Sequence, residues 1–204
     1  MKNLEQIISV LASGDLVVMR SDTIYGIFAS VMNEKAIQKL YSVRRRDLNR
    51  GSVILVDSVA TIGKFISLSP ETKSRLKNYW PDLGDLESLS DEKIRRKFPA
   101  TTVILVDHDR HLPWLNDTRG VDPELSFRVP NSVSLRRLLS RTGPLRAPSA
   151  NLPDQPPARN IAEAEKYFGS QVSLYVDGGE VPETITASRI IKLNTDGSLE
   201  TVRA

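Results

Sequence analysis

The chemistry this sequence offers comes from hydroxyl, amide and guanidinium groups, and these gather in three short segments. The first, Ser21-Asp22-Thr23-Ile24-Tyr25-Gly26, directly follows the β-branched run Leu16-Val17-Val18-Met19. Hydroxyls and a carboxylate just past a strand end can hold a small polar ligand, although the same residues also build Asx or Ser/Thr turns that satisfy their own backbone. The second, residues 41–50, closes a helical pattern and carries Arg44, Arg46 and Arg50. Arg44 and Arg46 are two apart where helix gives way to extended chain, so both can face one cleft. Their planar, permanently charged forks suit phosphate oxygens. Cations at a helix end also favour the helix dipole without any ligand. The third, residues 145–153, combines small residues and prolines with Ser149 and Asn151, a loop whose backbone can approach a ligand closely.

Other chemistries are excluded or unsupported. No Gly-x-x-x-x-Gly-Lys-Ser/Thr loop occurs and no Gly-x-Gly-x-x-Gly opens a helix. The chain has no cysteine, which removes thiolate nucleophiles, disulfides and zinc-thiolate sites. His108 and His111 read as part of a solvated loop, with no matching ligand cluster elsewhere, so no protein-held metal site is expected. No apolar run approaches the roughly 20 residues that span a bilayer. Glu5 stands where a signal peptide would be basic, so a cytoplasmic protein is expected. The net charge of +3 is too small to imply nucleic-acid binding by itself. The clusters Arg44-Arg45-Arg46, Arg95-Arg96-Lys97 and Arg136-Arg137 read individually as solvated faces.

The elements that must position these segments follow from periodicity. Short apolar runs at residues 16–19, 53–56, 102–106, 173–176 and 190–193 read as buried strands. Leu4, Ile7, Ile8 and Leu11 share one helical face, as do Ile37, Leu40, Tyr41 and Arg44. Ser69-Pro70-Glu71 reads as a helix start, and Pro81 as its end. Asn160 with Glu163 resembles a capping box for a helix that Gly169 closes. The polar stretch 82–97 reads as a surface excursion. Alternating strands and helices in 204 residues, without repeats or linkers, predict one α/β or mixed α+β domain over residues 1–204.

Taken together, the segments resemble the YrdC/Sua5 family of threonylcarbamoyl-AMP synthases, and the resemblance covers nearly the whole chain. Residues 20–26 resemble the family's Pro-Thr-Asp-Thr-Val-Tyr-Gly box, and Arg44-Arg45-Arg46 its Lys-x-Arg pair. Arg128-Val129-Pro130 matches its Arg-x-Pro, and residues 143–151 match Gly-Pro-Leu-x-Ala-Pro-Ser-Ala-Asn, the most telling part. Asp177-Gly178-Gly179, Ser188-Arg189-Ile190 and Val202-Arg203 fall where the family has Asp-Gly-Gly, Ser-Thr-Ile/Val and Val-Arg. There are departures: Arg44 for lysine, Arg20 for proline, Phe98-Pro99-Ala100-Thr101-Thr102 for Pro-Gly-Pro-x-Thr, Arg189 for threonine, and Pro157 for a serine.

The resemblance implies a twisted mixed sheet wrapped by helices around a deep positive cleft. It implies an L-threonylcarbamoyladenylate synthase, a nucleotidyltransferase that joins L-threonine, bicarbonate and ATP and releases pyrophosphate. The product would feed N6-threonylcarbamoylation of adenosine 37 in tRNA, with tRNA and the downstream threonylcarbamoyl transferase proteins as partners. Carried over residue by residue, Arg44, Arg46, Ser149 and Asn151 form the catalytic tetrad around the triphosphate, with Arg50 and Arg203 also on ATP. Thr23, Arg128, the Ala147 backbone and Ser188 line the threonine pocket. Mg2+ would arrive with ATP. The alternatives are a YciO-like carbamoyl-adenylating enzyme and a non-catalytic RNA-binding module of the same fold.

Overall fold

The computed structural model describes residues 3–47, 51–106, 113–115 and 124–204. Among these, nine strands form one mixed sheet. In chain order they are β1 (Val17–Arg20), β2 (Tyr25–Ser30), β3 (Ile54–Leu55), β4 (Thr101–Val106), β5 (Glu124–Arg128), β6 (Leu145–Arg146), β7 (Leu174–Val176), β8 (Arg189–Leu193) and β9 (Leu199–Arg203). Their spatial order is β7-β1-β2-β6-β3-β5-β4-β8-β9. The pairs β1–β7, β3–β5 and β4–β8 are parallel and the others antiparallel. The mixed α+β class expected from the sequence is what the chain adopts.

Helices cover both faces because the central strands are apolar on both. Along β2, Tyr25, Ile27 and Ala29 enter one core cluster, while Phe28 enters the other. The first cluster receives Ala36, Ile37, Leu40 and Tyr41 of α2 (Glu34–Val43) and Ala164 and Phe168 of α8 (Ile161–Phe168). The second receives Ile7 and Leu11 of α1 (Leu4–Ala12) and Leu135, Leu138 and Leu139 of α7 (Val133–Thr142). Each of the leucine, isoleucine and phenylalanine side chains among them stabilises the fold by about 1.5–3 kcal/mol on leaving water, before entropy is counted. Trp80 is buried with its indole N–H donated to the Thr101 carbonyl at 2.9 Å, tying the chain after the short α3 (Val59–Ile62) and α4 (Pro70–Lys77) to β4.

Several local expectations need correction. The helix opened by Ser69 is α4 (Pro70–Lys77), capped by the Ser69 hydroxyl on the Thr72 N–H. It ends four residues before Pro81. The stretch 82–97 is ordered as α5 (Leu83–Glu87) and α6 (Asp91–Lys97), each anchored by one buried side chain, Leu86 and Ile94. Four strands, β2, β5, β6 and β9, went unread in the sequence. Arg136 is no solvated cation: it is 3% exposed, and its guanidinium donates to the carbonyls of Pro130 and Pro81 at 2.6 and 2.7 Å. His108, His111 and Arg50 lie outside the described residues.

Candidate active site

The end of α2 brings Arg44 and Arg46 together. Arg44 caps the helix, Arg45 turns left-handed at φ 52°, and Arg46 follows beyond the helix end. The Arg46 N–H donates to the Tyr41 carbonyl and the Arg45 N–H to that of Ser42, the two bonds of a Schellman motif. The left-handed step normally falls to glycine because a Cβ costs about 1–2 kcal/mol there. Here an arginine takes it, and the turn places the two flanking guanidinium groups close enough to repel. Arg44 is 2% exposed, and its pKa is lowered to about 10, first by burial and then by the charge of Arg46. The Nε atoms of both side chains are buried without a hydrogen-bond partner. Two buried or half-buried like charges with unspent donors suit an anion.

The loop after β6 supplies the polar half. Its backbone runs beside β2: the Ile27 N–H donates to Pro148 O at 3.0 Å and the Ala150 N–H to Tyr25 O at 2.9 Å. Gly26 sits opposite Ser149, and a Cβ there would lie 3.2 Å from the Pro148 carbonyl, so the close approach depends on glycine. Asn151 is fixed in orientation. Its amide nitrogen donates to the carbonyls of Leu152 and Gln155 at 3.1 and 2.7 Å. Its Oδ1 accepts from Ser149 Oγ at 2.6 Å and from Arg44 Nη2 at 3.4 Å. The Ser149 proton is therefore committed inward, leaving oxygen lone pairs outward. Arg44, Ser149 and Asn151 are thus one hydrogen-bonded group, with Arg46 beside it.

A second group assembles around Thr23, which is 5% exposed in the turn between β1 and β2. Arg128, at the end of β5, donates from Nη1 to Thr23 Oγ1 at 3.2 Å and forms an ion pair with Asp22 at 3.0 Å. Asp22 also accepts the Asn131 N–H at 2.9 Å. Ser188 shares a 2.8 Å hydroxyl contact with Thr102, and its carbonyl accepts from Arg203 Nε at 3.1 Å. The Arg203 pKa is lowered by burial and then by the charge of Arg128, which places the two cations near each other. Thr23, Arg128, Ser188 and Arg203 therefore converge, although they come from the β1–β2 turn, the ends of β5 and β9, and the residue before β8. Ala147 lies against Val53, to whose carbonyl its N–H is donated at 2.9 Å, so only the Ala147 carbonyl remains for a ligand.

A cavity of about 840 Å3 opens beside Thr23, with Arg20, Asp22, Arg95, Asn131 and Arg189 on its walls. The Arg44 group is not among its lining residues; the cavity adjoins the Thr23 side. Arg189 reaches it while donating to Thr101 Oγ1 at 2.7 Å and stacking 5.6 Å from the Tyr79 ring. Arg20 clamps the 177–180 loop by donating to the carbonyls of Gly178 and Glu180. Sequence reasoning left out Asp22, Asn131 and Thr102 as site residues. The Asp22 carboxylate was visible in the first segment, but it turns inward to Arg128 rather than outward to a ligand.

With this geometry in place, likeness to known proteins decides the family. A family model named Sua5_yciO_yrdC and described as "Telomere recombination" matches residues 9–204. The chain belongs to the Sua5/YciO/YrdC family. It is similar to the threonylcarbamoyl-AMP synthase of Pseudoalteromonas translucida, 25% identical over 186 residues, 87% of this chain and 89% of that protein. Among solved structures it resembles P. abyssi Sua5 complexed with L-threonine, with a TM-score of 0.74 and 20% identity over 93% of this chain. The chain spans about half of that protein, 50% of its length. It also resembles E. coli YciO, with a TM-score of 0.77 and 17% identity over 98% of this chain and 87% of the other. These structural likenesses carry the fold. Among the described residues no helix is long and apolar enough to cross a membrane.

Proposed function

We propose that the protein is an L-threonylcarbamoyladenylate synthase, acting on L-threonine, bicarbonate and ATP. The observation that carries this reading is that Arg44, Ser149 and Asn151 form one hydrogen-bonded group with the charge of Arg46 on Arg44, while Arg128 holds Thr23, in a chain of this family. Threonine's amine and bicarbonate give a carbamate and water. A carbamate oxygen then attacks the α-phosphorus of ATP; the bond from that phosphorus to the bridging oxygen breaks, and pyrophosphate leaves. Arg44 and Arg46 neutralise the growing negative charge on the leaving group, and Ser149 with Asn151 holds Arg44 in place. Arg128, Thr23 and Ser188 hold the amino acid, Arg203 adds positive charge, and alignment of the two reactants supplies the rest.

Mg2+ enters this reading only as part of the nucleotide. Among the described residues no group of three acidic, histidine or cysteine side chains could hold a metal, and Asp22 is committed to Arg128. The ATP phosphates would supply its ligands, and no step here depends on it. Transfer of the product to tRNA through partner proteins, in the cytoplasm, belongs to the same proposal.

A YciO-like adenylation without threonine is a second reading, favoured by Arg189, which puts a guanidinium on the cavity wall where the family motif has threonine. Incubation with 13C-bicarbonate, ATP and L-threonine separates the two by mass spectrometry. Labelled threonylcarbamoyl-adenylate supports the synthase, and labelled adenylate lacking threonine supports the second reading.

A further inference from the structure

Hydrogen-bond bookkeeping around Thr23 determines which way its hydroxyl points. Ser21 Oγ donates its single proton to the Ile24 carbonyl at 2.7 Å, an acceptor that can do nothing else. Ser21 Oγ also accepts the Thr23 N–H at 3.1 Å. The remaining 3.0 Å contact between Ser21 Oγ and Thr23 Oγ1 then needs its proton from Thr23. Thr23 Oγ1 in turn accepts from Arg128 Nη1. A hydroxyl has one proton and two lone pairs, so one lone pair is left, on a residue that lines the cavity.

Asp22 holds this arrangement in place. Its side chain is 3% exposed and that of Arg128 5%. The 3.0 Å contact between Asp22 Oδ1 and Arg128 Nη2 lies outside hydrogen-bond alignment, so it orients Arg128 by charge. The Asn131 N–H fixes the other carboxylate oxygen. Arg128 also has Arg203 nearby, a like charge that would push it off Thr23 if Asp22 were neutral.

We infer that Asp22 is a positioning residue which, through Arg128 and with Ser21, makes Thr23 present a lone pair to the cavity. The site thereby selects a substrate carrying a hydrogen-bond donor, an ammonium or hydroxyl group, at that point. The inference rests on Thr23 belonging to the amino-acid subsite of the proposed function. It is tested by calorimetric titration of the full chain with L-threonine and, separately, with ATP. Asp22→Asn and Ser21→Ala each weaken threonine binding about tenfold or more, the size of a lost hydrogen bond to a charged or charge-oriented group. Both leave ATP affinity within about twofold, a split that a general loss of structure would not produce. Thr23→Ser, which keeps the hydroxyl, retains more threonine affinity than Thr23→Val. Threonine affinity in Ser21→Ala within about twofold of the parent protein would overturn the inference. Should Asp22→Asn fail to fold, Ser21→Ala, at a half-buried turn position, decides alone. A parent protein that binds ATP but takes up no threonine removes the proposed function itself, and with it this recognition device.

Discussion

Replacing Arg46 with alanine should move ligand affinity and stability in opposite directions. Arg46 makes no described side-chain hydrogen bond, its Nε is buried without a partner, and its charge is the second cause of the low Arg44 pKa. A charge-assisted contact to phosphate contributes about 1.5–3 kcal/mol, so Arg46→Ala should weaken ATP binding by about 10- to 150-fold. The free protein should gain. Lowering Arg44 from the ordinary arginine range to about 10 corresponds to about 3 kcal/mol of disfavoured charge. Burial is the larger cause, so relief from Arg46 returns at most about 1 kcal/mol, or about 2–4 °C in Tm for a chain of this size. Calorimetric titration with ATP and a thermal melt of the unliganded protein measure the two arms. A variant that binds ATP normally, or one that loses both affinity and stability, would show that the Arg44–Arg46 pair is a structural feature rather than an anion site.

Arg45→Gly should raise stability by roughly 1 kcal/mol, because glycine accepts the left-handed step that now carries a Cβ; an unchanged or lower melting temperature contradicts the strain. ATP affinity should fall as pH rises through about 10. The sign follows from Arg44: its depressed pKa means the folded, unliganded protein loses this charge near pH 10, whereas the unfolded chain keeps it to higher pH. Below that pH the burial penalty is constant, so binding is flat there. Arg44→Lys should shift the fall to lower pH, since lysine starts from about 10.4 before the same burial acts on it. ATP affinity unchanged between pH 9 and 10.5 in both proteins would count against Arg44 as a ligand-binding charge.

The parts of this site legible in the sequence are those whose residue types announce themselves. Arg44 and Arg46 at a helix end, and Ser149 and Asn151 in a small-residue loop, were readable as a polar cluster. The family resemblance joined them before any geometry was available. What stayed hidden was set by tertiary contacts. Nothing in Arg44-Arg45-Arg46 says that the middle arginine turns left-handed, since that conformation ordinarily calls for glycine. Arg136-Arg137 looked like a solvated pair, yet the first is buried against two proline carbonyls on other elements. β2 begins with Tyr25-Gly26, which reads as a turn. β6 has only two residues, and β9 is an exposed edge strand without an apolar face. Asp22 was visible as a carboxylate but not as the partner of Arg128, because that pairing exists only once the sheet brings β5 to the β1–β2 turn.

Pyrophosphate release from ATP and bicarbonate, measured with and without L-threonine and with serine as the control, tests the proposed reaction most directly. The proposed reaction predicts release that depends on the added amino acid, with the serine control showing how far the threonine methyl group contributes. Release that is the same without threonine, or no release from protein shown to bind ATP, would contradict it.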